Sequence, residues 1–386
     1  MAGDSLEKFA RAKLDALERR KLRRELEVTD RGSAAHVVSR HERLVSFACN
    51  DYLGLSQHPE VIEASCIATS RYGTGAGASR LITGNHVLYA ELERRLAEVK
   101  GTEDAIVFGS GYLTNVGVIP VLAGSTDLIV ADELSHSCIL SGASLSRATF
   151  ATFKHNDVDE LYRLLARQRA RHRHCLVITE GVFSMEGDLA PLPALASLAA
   201  EYDVWLMSDD AHGLGVVGGG RGSTFAHGTS VEVPLQMGTL SKAVGGYGGY
   251  LCTSRSVAEL LRSRARSFVY STGLPPGTVA AASKALEFIA TDDALVAAPL
   301  ARARLFTERL GLPPASSAIV SIVLGTPERA LEASARLRTA GFLVAPIRPP
   351  TVPSGTSRLR FAFSAQHTET DVIELARLVA AQVIRT

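Results

Sequence analysis

The sequence predicts an α/β protein: a large domain on a mainly parallel sheet covered by helices, followed by a smaller α+β C-terminal domain. Three observations carry this expectation. From about residue 105, apolar strand-like runs alternate with segments of helical period, as parallel strands joined by helical crossovers do. The alternation stops at STGLPPG (271–277), where two prolines interrupt any continuing element. A chain of 386 residues is also longer than one hydrophobic core usually serves.

The elements are read in order. Leu6, Ala10, Leu14 and Leu17 recur at the period of an amphipathic helix, and the basic run Arg19 to Arg24 reads as its solvated face. These define an N-terminal helical segment, 1–45. The strand-like runs of the large domain (46–277) are AIVFGS, DLIVAD, TFATFKH, CLVITEGVFS, VWLMSDDAH and LQMGTLSK. Helical patterns lie between several of them, such as LYRLLARQ, where Asp157 followed by Glu160 has capping-box spacing. The small domain (278–386) reads as one long helical stretch, AIVSIVLG, a helix, FLVAPIRPP and RLRFAFS, then a helix with Val372, Leu375, Val379 and Val383 on one face.

Composition narrows the function. Hydrophobic residues at 46% and charged residues at 21% fit a folded chain. A net charge of +1 gives no bulk reason to bind nucleic acid or a membrane surface, so small molecules are the expected partners. Five scattered cysteines without a C-x-x-C pair suggest reduced thiols. The charged first residues hold no apolar stretch long enough for a signal peptide or a membrane span, and a cytoplasmic location is expected.

Polar clusters fall at the C-terminal ends of the predicted parallel strands, where open α/β sheets place their ligand crevice. Gly109-Ser110-Gly111-Tyr112 follows a strand and precedes a helix, so its N–H groups suit a phosphate, although turn geometry alone also explains such glycines. Asp209-Asp210-Ala211-His212 puts two carboxylates at the mouth of a buried strand. They need a cation nearby, unless both simply cap. Strand alternation turns only one of them to the crevice. Thr239 to Gly246 sets Lys242 among hydroxyls and glycines, the surroundings of a Schiff-base lysine or of an ordinary loop lysine. A lysine for an imine, an acid for a pyridinium proton and a phosphate site are together what pyridoxal 5'-phosphate (PLP) requires.

The chain resembles the α-oxoamine synthases, a family of fold-type I PLP enzymes. The resemblance rests on NDYLGL from Asn50, Ser135-His136, TEGVFSMEGDLAPL from Thr179, DDAHG from Asp209, TLSK ending at Lys242, and Ile347 to Arg360 (IRPPTVPSGTSRLR). It implies that Lys242 carries the cofactor and later removes the substrate α-proton, that Asp209 pairs with the ring nitrogen, and that His136 stacks on the ring. It further implies that His212 and Ser184 contact the phenolic oxygen and that Gly111, Tyr112 and Thr239 hold the phosphate. Thr272 reaches the phosphate of the neighbouring subunit, which implies a homodimer with shared sites. Arg360 binds the amino-acid carboxylate with Asn50 and Glu180 assisting, Arg23 lies near the acyl-chain carboxylate, and Thr351 is a further substrate-binding residue. The reaction implied joins L-alanine to a pimeloyl thioester, pimeloyl-CoA or pimeloyl-acyl-carrier protein, with loss of CO2. A relative pairing glycine with acetyl-CoA is the nearer alternative, and a non-catalytic scaffold the distant one. The sequence lacks the G-x-G-x-x-G turn of a nicotinamide enzyme and the H-E-x-x-H spacing of a metal hydrolase, and no metal is expected.

Overall fold

The structure, a computed structural model, describes residues 3–33 and 35–384. Helix α1 (Gly3–Arg19) forms where the leucine spacing predicts it but ends before most of the basic run, so residues 22–24 lie in irregular chain. Residues 29–45, expected within a helical segment, instead lie in a meander of β1 (Thr29–Arg31), β2 (His36–Ser39) and β3 (Glu42–Ser46). Val37 and Ser39 alternate with exposed residues in β2, and Leu44 and Ser46 are the buried pair of β3, a period-two pattern confined to very short strands.

Helices α2 (Pro59–Tyr72) and α3 (Leu88–Lys100) precede the main sheet, and α3 stops at Gly101, whose φ of 68° is the left-handed conformation that favours glycine. The next elements are β4 (Asp104–Phe108), α4 (Gly111–Leu122), β5 (Leu128–Asp132), α5 (Ser137–Leu145), β6 (Thr149–Phe153) and α6 (Val158–Gln168). They continue with β7 (Cys175–Glu180), α7 (Leu192–Glu201), β8 (Trp205–Asp209), β9 (Leu235–Thr239), β10 (Gly249–Thr253), α8 (Arg255–Arg264) and α9 (Arg266–Val269). The strands form one sheet in the order β4-β10-β9-β8-β7-β5-β6, parallel except for β10. β10 was not expected, because the glycines around Tyr247 make its approach read as loop. Alternate residues serve the two faces: Ile129, Ile178 and Met207 pack towards α4 and α5, while Val130, Val177 and Leu206 pack towards α6 and α7. Asp157 caps α6 by accepting from the Glu160 N–H at 2.8 Å. The Glu160 carboxylate reaches the Lys154 N–H rather than that of Asp157, so half the expected box forms.

α10 (Pro276–Thr291) starts at the second proline. Its Val279, Ala282, Leu286 and Ile289 join the core that holds Tyr52, Leu92 and Tyr250. The expected single long helix is two, because Asp292 breaks it and caps α11 (Asp293–Leu310) through the Leu295 N–H. From Ala303 onward α11 packs with Phe47, Phe361, Phe363 and Leu375 in a second core. The remaining elements are β11 (Ile319–Gly325), α12 (Pro327–Thr339), β12 (Phe342–Leu343), β13 (Ala345–Ile347), β14 (Ser357–Ala362) and α13 (Glu369–Val379). β12 pairs parallel with β3, and β11-β14-β13 make a separate antiparallel sheet. The second core thus begins within α11, and the β1–β3 meander joins β12 in one sheet.

Candidate active site

A cavity of about 220 Å³ opens at the C-terminal ends of β4, β7, β8 and β9. At one end Ser110 caps α4, its hydroxyl accepting from the Leu113 N–H at 3.1 Å. Gly111 is the first helical residue, and a side chain there would press on Met237, 3.2 Å from an added Cβ. The free N–H groups of this helix start, with the hydroxyls of Thr239 and Ser241 2.8 Å apart beside them, suit an anionic group. Tyr112 is half-exposed at the rim and donates to Ser141 at 3.0 Å.

At the other end the two aspartates part company, as strand alternation requires. Asp209 lines the cavity, its carboxylate accepting from the Ala211 N–H at 3.1 Å and from the Asn115 amide at 2.8 Å. Asp210 points away into a cage of Gly181, Gly213 and Gly222, where the Lys100 ammonium sits 2.6 Å from its carboxylate. Lys100 is the cation that the paired carboxylates call for.

Lys242 is half-buried and its Nζ lies 2.7 Å from Nε2 of His212. Burial, opposed by the charges of Asp209 and Glu180, lowers its amine to about 8. Burial and the Lys242 charge hold His212 well below the usual imidazole range, so its ring is neutral. Nδ1 of His212 lies 2.7 Å from the Tyr52 hydroxyl. Burial, and then the Asp209 charge, push the Glu180 carboxyl up to about 8. Its oxygens accept from the N–H groups of His136 at 2.7 Å and Ser184 at 3.1 Å.

Arg360 closes the wall behind His212. It is buried, donates to the Ser184 carbonyl at 2.6 Å, the Asn50 side-chain oxygen at 3.1 Å and the Tyr52 hydroxyl at 3.3 Å. Among the described residues no carboxylate pairs with it. A buried guanidinium served only by neutral acceptors is prepared for an anion.

A larger pocket of about 870 Å³ shares His136 with this cavity. Leu14, Leu17, Leu22, Leu134, Leu140 and Val352 give it apolar walls. Arg24 donates to the Thr351 hydroxyl at 2.8 Å, and burial with the Arg24 charge holds Arg348 below its ordinary value. Arg23 also lines this pocket, yet its guanidinium lies 3.7 Å from Glu18 and 4.0 Å from Glu25. Arg23 and Arg24 thus both line this pocket, Arg24 bonded to Thr351 across it.

The structure therefore gathers Lys242, Asp209, His136, His212, Glu180, Gly111, Tyr112 and Thr239 in one cavity. Ser184, Arg23 and Thr351 line the larger pocket instead, and Asn50 and Arg360 stand behind His212. Thr272 lies apart, bridged to Ser79 in a crevice with Arg80 and Tyr89.

Residues 42–379 match the family model for aminotransferase class I and II. The chain belongs to the aminotransferase class I and II family. Within the family it is 57% identical over 377 residues to the 8-amino-7-oxononanoate synthase of Beijerinckia indica subsp. indica, covering 98% of each chain. Among solved structures it is similar to serine palmitoyltransferase from S. paucimobilis with bound PLP, at a TM-score of 0.91 and 30% identity, covering 97% of each chain. It is also similar to 8-amino-7-oxononanoate synthase from Francisella tularensis, at a TM-score of 0.75 and 26% identity, covering 88% of this chain and 98% of that one. The residues present fit the family's cofactor: an anion seat at α4, an amine lowered to about 8 and a buried carboxylate share one cavity.

A charged clamp fixes the loop that carries Ser184. His155, just after β6, lies 3.2 Å from Asp132 and 2.9 Å from Asp188. Burial opposes charge on its ring, but hydrogen bonds to Asp132 and then Asp188 outweigh it and raise the imidazole to about 10. The folded value lies above the unfolded value of about 6.5, so the clamp contributes fully below about pH 6.5 and fades as pH rises towards 10. Thermal melts of wild type and His155→Gln at pH 6, 8 and 10 should show a gap that is widest at pH 6 and narrows steadily. A gap independent of pH contradicts a charged His155.

Proposed function

We propose that this protein is a PLP-dependent acyltransferase that condenses L-alanine with a pimeloyl thioester, releasing CO2 and the free thiol, to give 8-amino-7-oxononanoate in biotin biosynthesis. The thiol is coenzyme A or an acyl-carrier protein. The observation that carries the reading is the adjoining pair of cavities, one holding Lys242 and Asp209, the other apolar and edged by Arg24 and Thr351. That shape suits a chain of methylenes ending in a carboxylate. The names of the relatives agree with it.

When bound, PLP supplies an electron sink for negative charge at the amino-acid Cα. Lys242 would hold its aldehyde carbon, Asp209 its ring nitrogen, and His136 would cover the ring face. The phosphate would lie against Gly111, Tyr112 and Thr239, with Thr272 contributing to the phosphate site of the neighbouring subunit in a homodimer. His212 would donate to the phenolic oxygen, and Ser184 would stand at the junction of the two cavities. Lys242 would also take the α-proton; an amine lowered to about 8 is partly unprotonated near neutral pH, where an ordinary lysine is not. Asp209 accepts from Ala211 and Asn115, which would hold its carboxylate towards the ring nitrogen.

Arg360 would grip the alanine carboxylate with its planar fork, oriented by Asn50 and assisted by Glu180. Arg360→Lys keeps the charge and loses the fork. We expect KM for L-alanine to rise roughly 10- to 100-fold, the worth of about 1.5–3 kcal/mol for a charge-assisted bond, with a smaller change in kcat. An unchanged KM contradicts this assignment. The reading as a whole is tested by pairing L-alanine, glycine and L-serine with pimeloyl, acetyl and palmitoyl thioesters, each on coenzyme A and on an acyl-carrier protein. Alanine with the pimeloyl donor should release CO2 fastest, and preference for glycine with acetyl or serine with palmitoyl overturns the substrate assignment.

A further inference from the structure

Helices α4 and α5 flank the cavity, and glycine at 142 lets them approach closely: an added Cβ there would stand 2.8 Å from the Asn115 carbonyl oxygen. One turn before Gly142 is Cys138, and the close approach brings its sulfur to 3.0 Å from the Asn115 side-chain amide. Both side chains are buried, in an otherwise apolar contact with Val118, Ile119 and Ile139.

The same amide nitrogen donates to Asp209 at 2.8 Å. The orientation is decided by chemistry, because the opposite flip would set the amide oxygen against a carboxylate that only accepts. It leaves the Asn115 side-chain oxygen buried without a partner among the described residues. A helix that needed only packing here would carry an apolar residue, so the amide is kept for its donor.

On its other side the Cys138 sulfur lies 2.9 Å from Nδ1 of His136, and the Cys138 backbone N–H donates to the same nitrogen at 3.3 Å. A backbone N–H can only donate, so Nδ1 is an acceptor and the neutral ring carries its proton on Nε2. The directions then agree along the whole row: the Asn115 amide donates to both Asp209 and sulfur, and the thiol hydrogen is free to donate to Nδ1.

We propose that Asn115 and Cys138 are positioning residues of the active site, forming one hydrogen-bonded chain from Asp209 to His136 that aims the carboxylate and holds the imidazole in its Nε2–H form. The chain ties two walls of the cavity, from β8 and from the start of α5, through the Asn115 amide behind the lining and the Cys138 side chain within it. Burial keeps the thiol protonated, its value pushed up to about 12, so it serves as a donor and not as a nucleophile.

The proposal rests on the PLP reading, and its test separates the two. The cofactor's visible band is titrated against pH, and its dissociation constant measured, for wild type, Asn115→Ala, Cys138→Ala, Cys138→Ser and the Asn115→Ala/Cys138→Ala double variant. A wild type without a band overturns both readings. With the band present, Asn115→Ala should weaken cofactor binding roughly 10- to 100-fold and move the band's midpoint upward, because Asp209 loses its charge-assisted donor. Cys138→Ala should weaken binding roughly three- to tenfold, and Cys138→Ser, which keeps a donor, should restore most of it. The double variant should be no worse than Asn115→Ala alone, as expected of links in one chain. Cys138→Ala indistinguishable from wild type, or no recovery in Cys138→Ser, overturns the proposal, and these two variants decide it even if Asn115→Ala does not fold.

Discussion

Lys242→Ala is expected to fold and to lose essentially all turnover, with kcat/KM for the alanine–pimeloyl condensation lower by roughly 10⁴-fold or more, the upper end of what positioned proton transfer contributes. The loss is large because one amine serves two tasks, holding the cofactor and moving the α-proton. Folding should survive because, among the described residues, the side chain forms no ion pair and its nitrogen bonds to neutral His212. Lys242→Arg should be as inactive, since a guanidinium stays protonated. For cofactor-free wild type, the rate of PLP capture should climb with pH and bend near pH 8, where the amine loses its proton, rather than above pH 10 as for an ordinary lysine. Stopped-flow absorbance between pH 6 and 10 reads this directly.

Lys100→Met should be the most destabilising single change near the site. Its ammonium is fully buried, 2.6 Å from Asp210 and 2.8 Å from the Arg221 carbonyl. Removing it leaves Asp210, among the described residues, with only the Ser223 N–H as a donor, inside walls of glycine that admit nothing larger. Breaking a buried pair on one side costs about 3–5 kcal/mol. The urea midpoint of the main-sheet transition should fall accordingly. Lys100→Met/Asp210→Asn, which buries no lone charge, should recover a substantial part. A double variant less stable than Lys100→Met means that the pair is not what anchors the turn. Because Asp209 precedes Asp210, Lys100→Met should also weaken cofactor binding.

The parts of this site legible in the sequence are those that announce a change of structure locally. Asp209, Thr239 and Glu180 each end an apolar strand, and Gly111 opens a helix, so residue type and position point together to a crevice. Lys100, Asn115 and Cys138 carry no such mark. They sit within or at the end of helices and meet Asp210, Asp209 and each other across long stretches of chain, so periodicity assigns them to packing. Tyr52 was visible only as part of NDYLGL, and its hydrogen bond to His212 depends on the fold bringing residues 160 apart together. Arg24 illustrates a different limit: in non-helical chain neighbouring side chains diverge, so a one-residue step separates a guanidinium on Thr351 from one near Glu18. The break at Asp292 was in plain view as a capping aspartate but lay inside an unbroken apolar rhythm.

The central claim is that the Lys242 amine, opposite the Asp209 carboxylate, is the point of attachment for PLP. Borohydride reduction of the PLP-loaded protein followed by peptide mass mapping tests it most directly. The account predicts a phosphopyridoxyl adduct on the peptide containing Lys242 and on no other. A protein that shows the cofactor's visible band yet yields the adduct on a different lysine contradicts it.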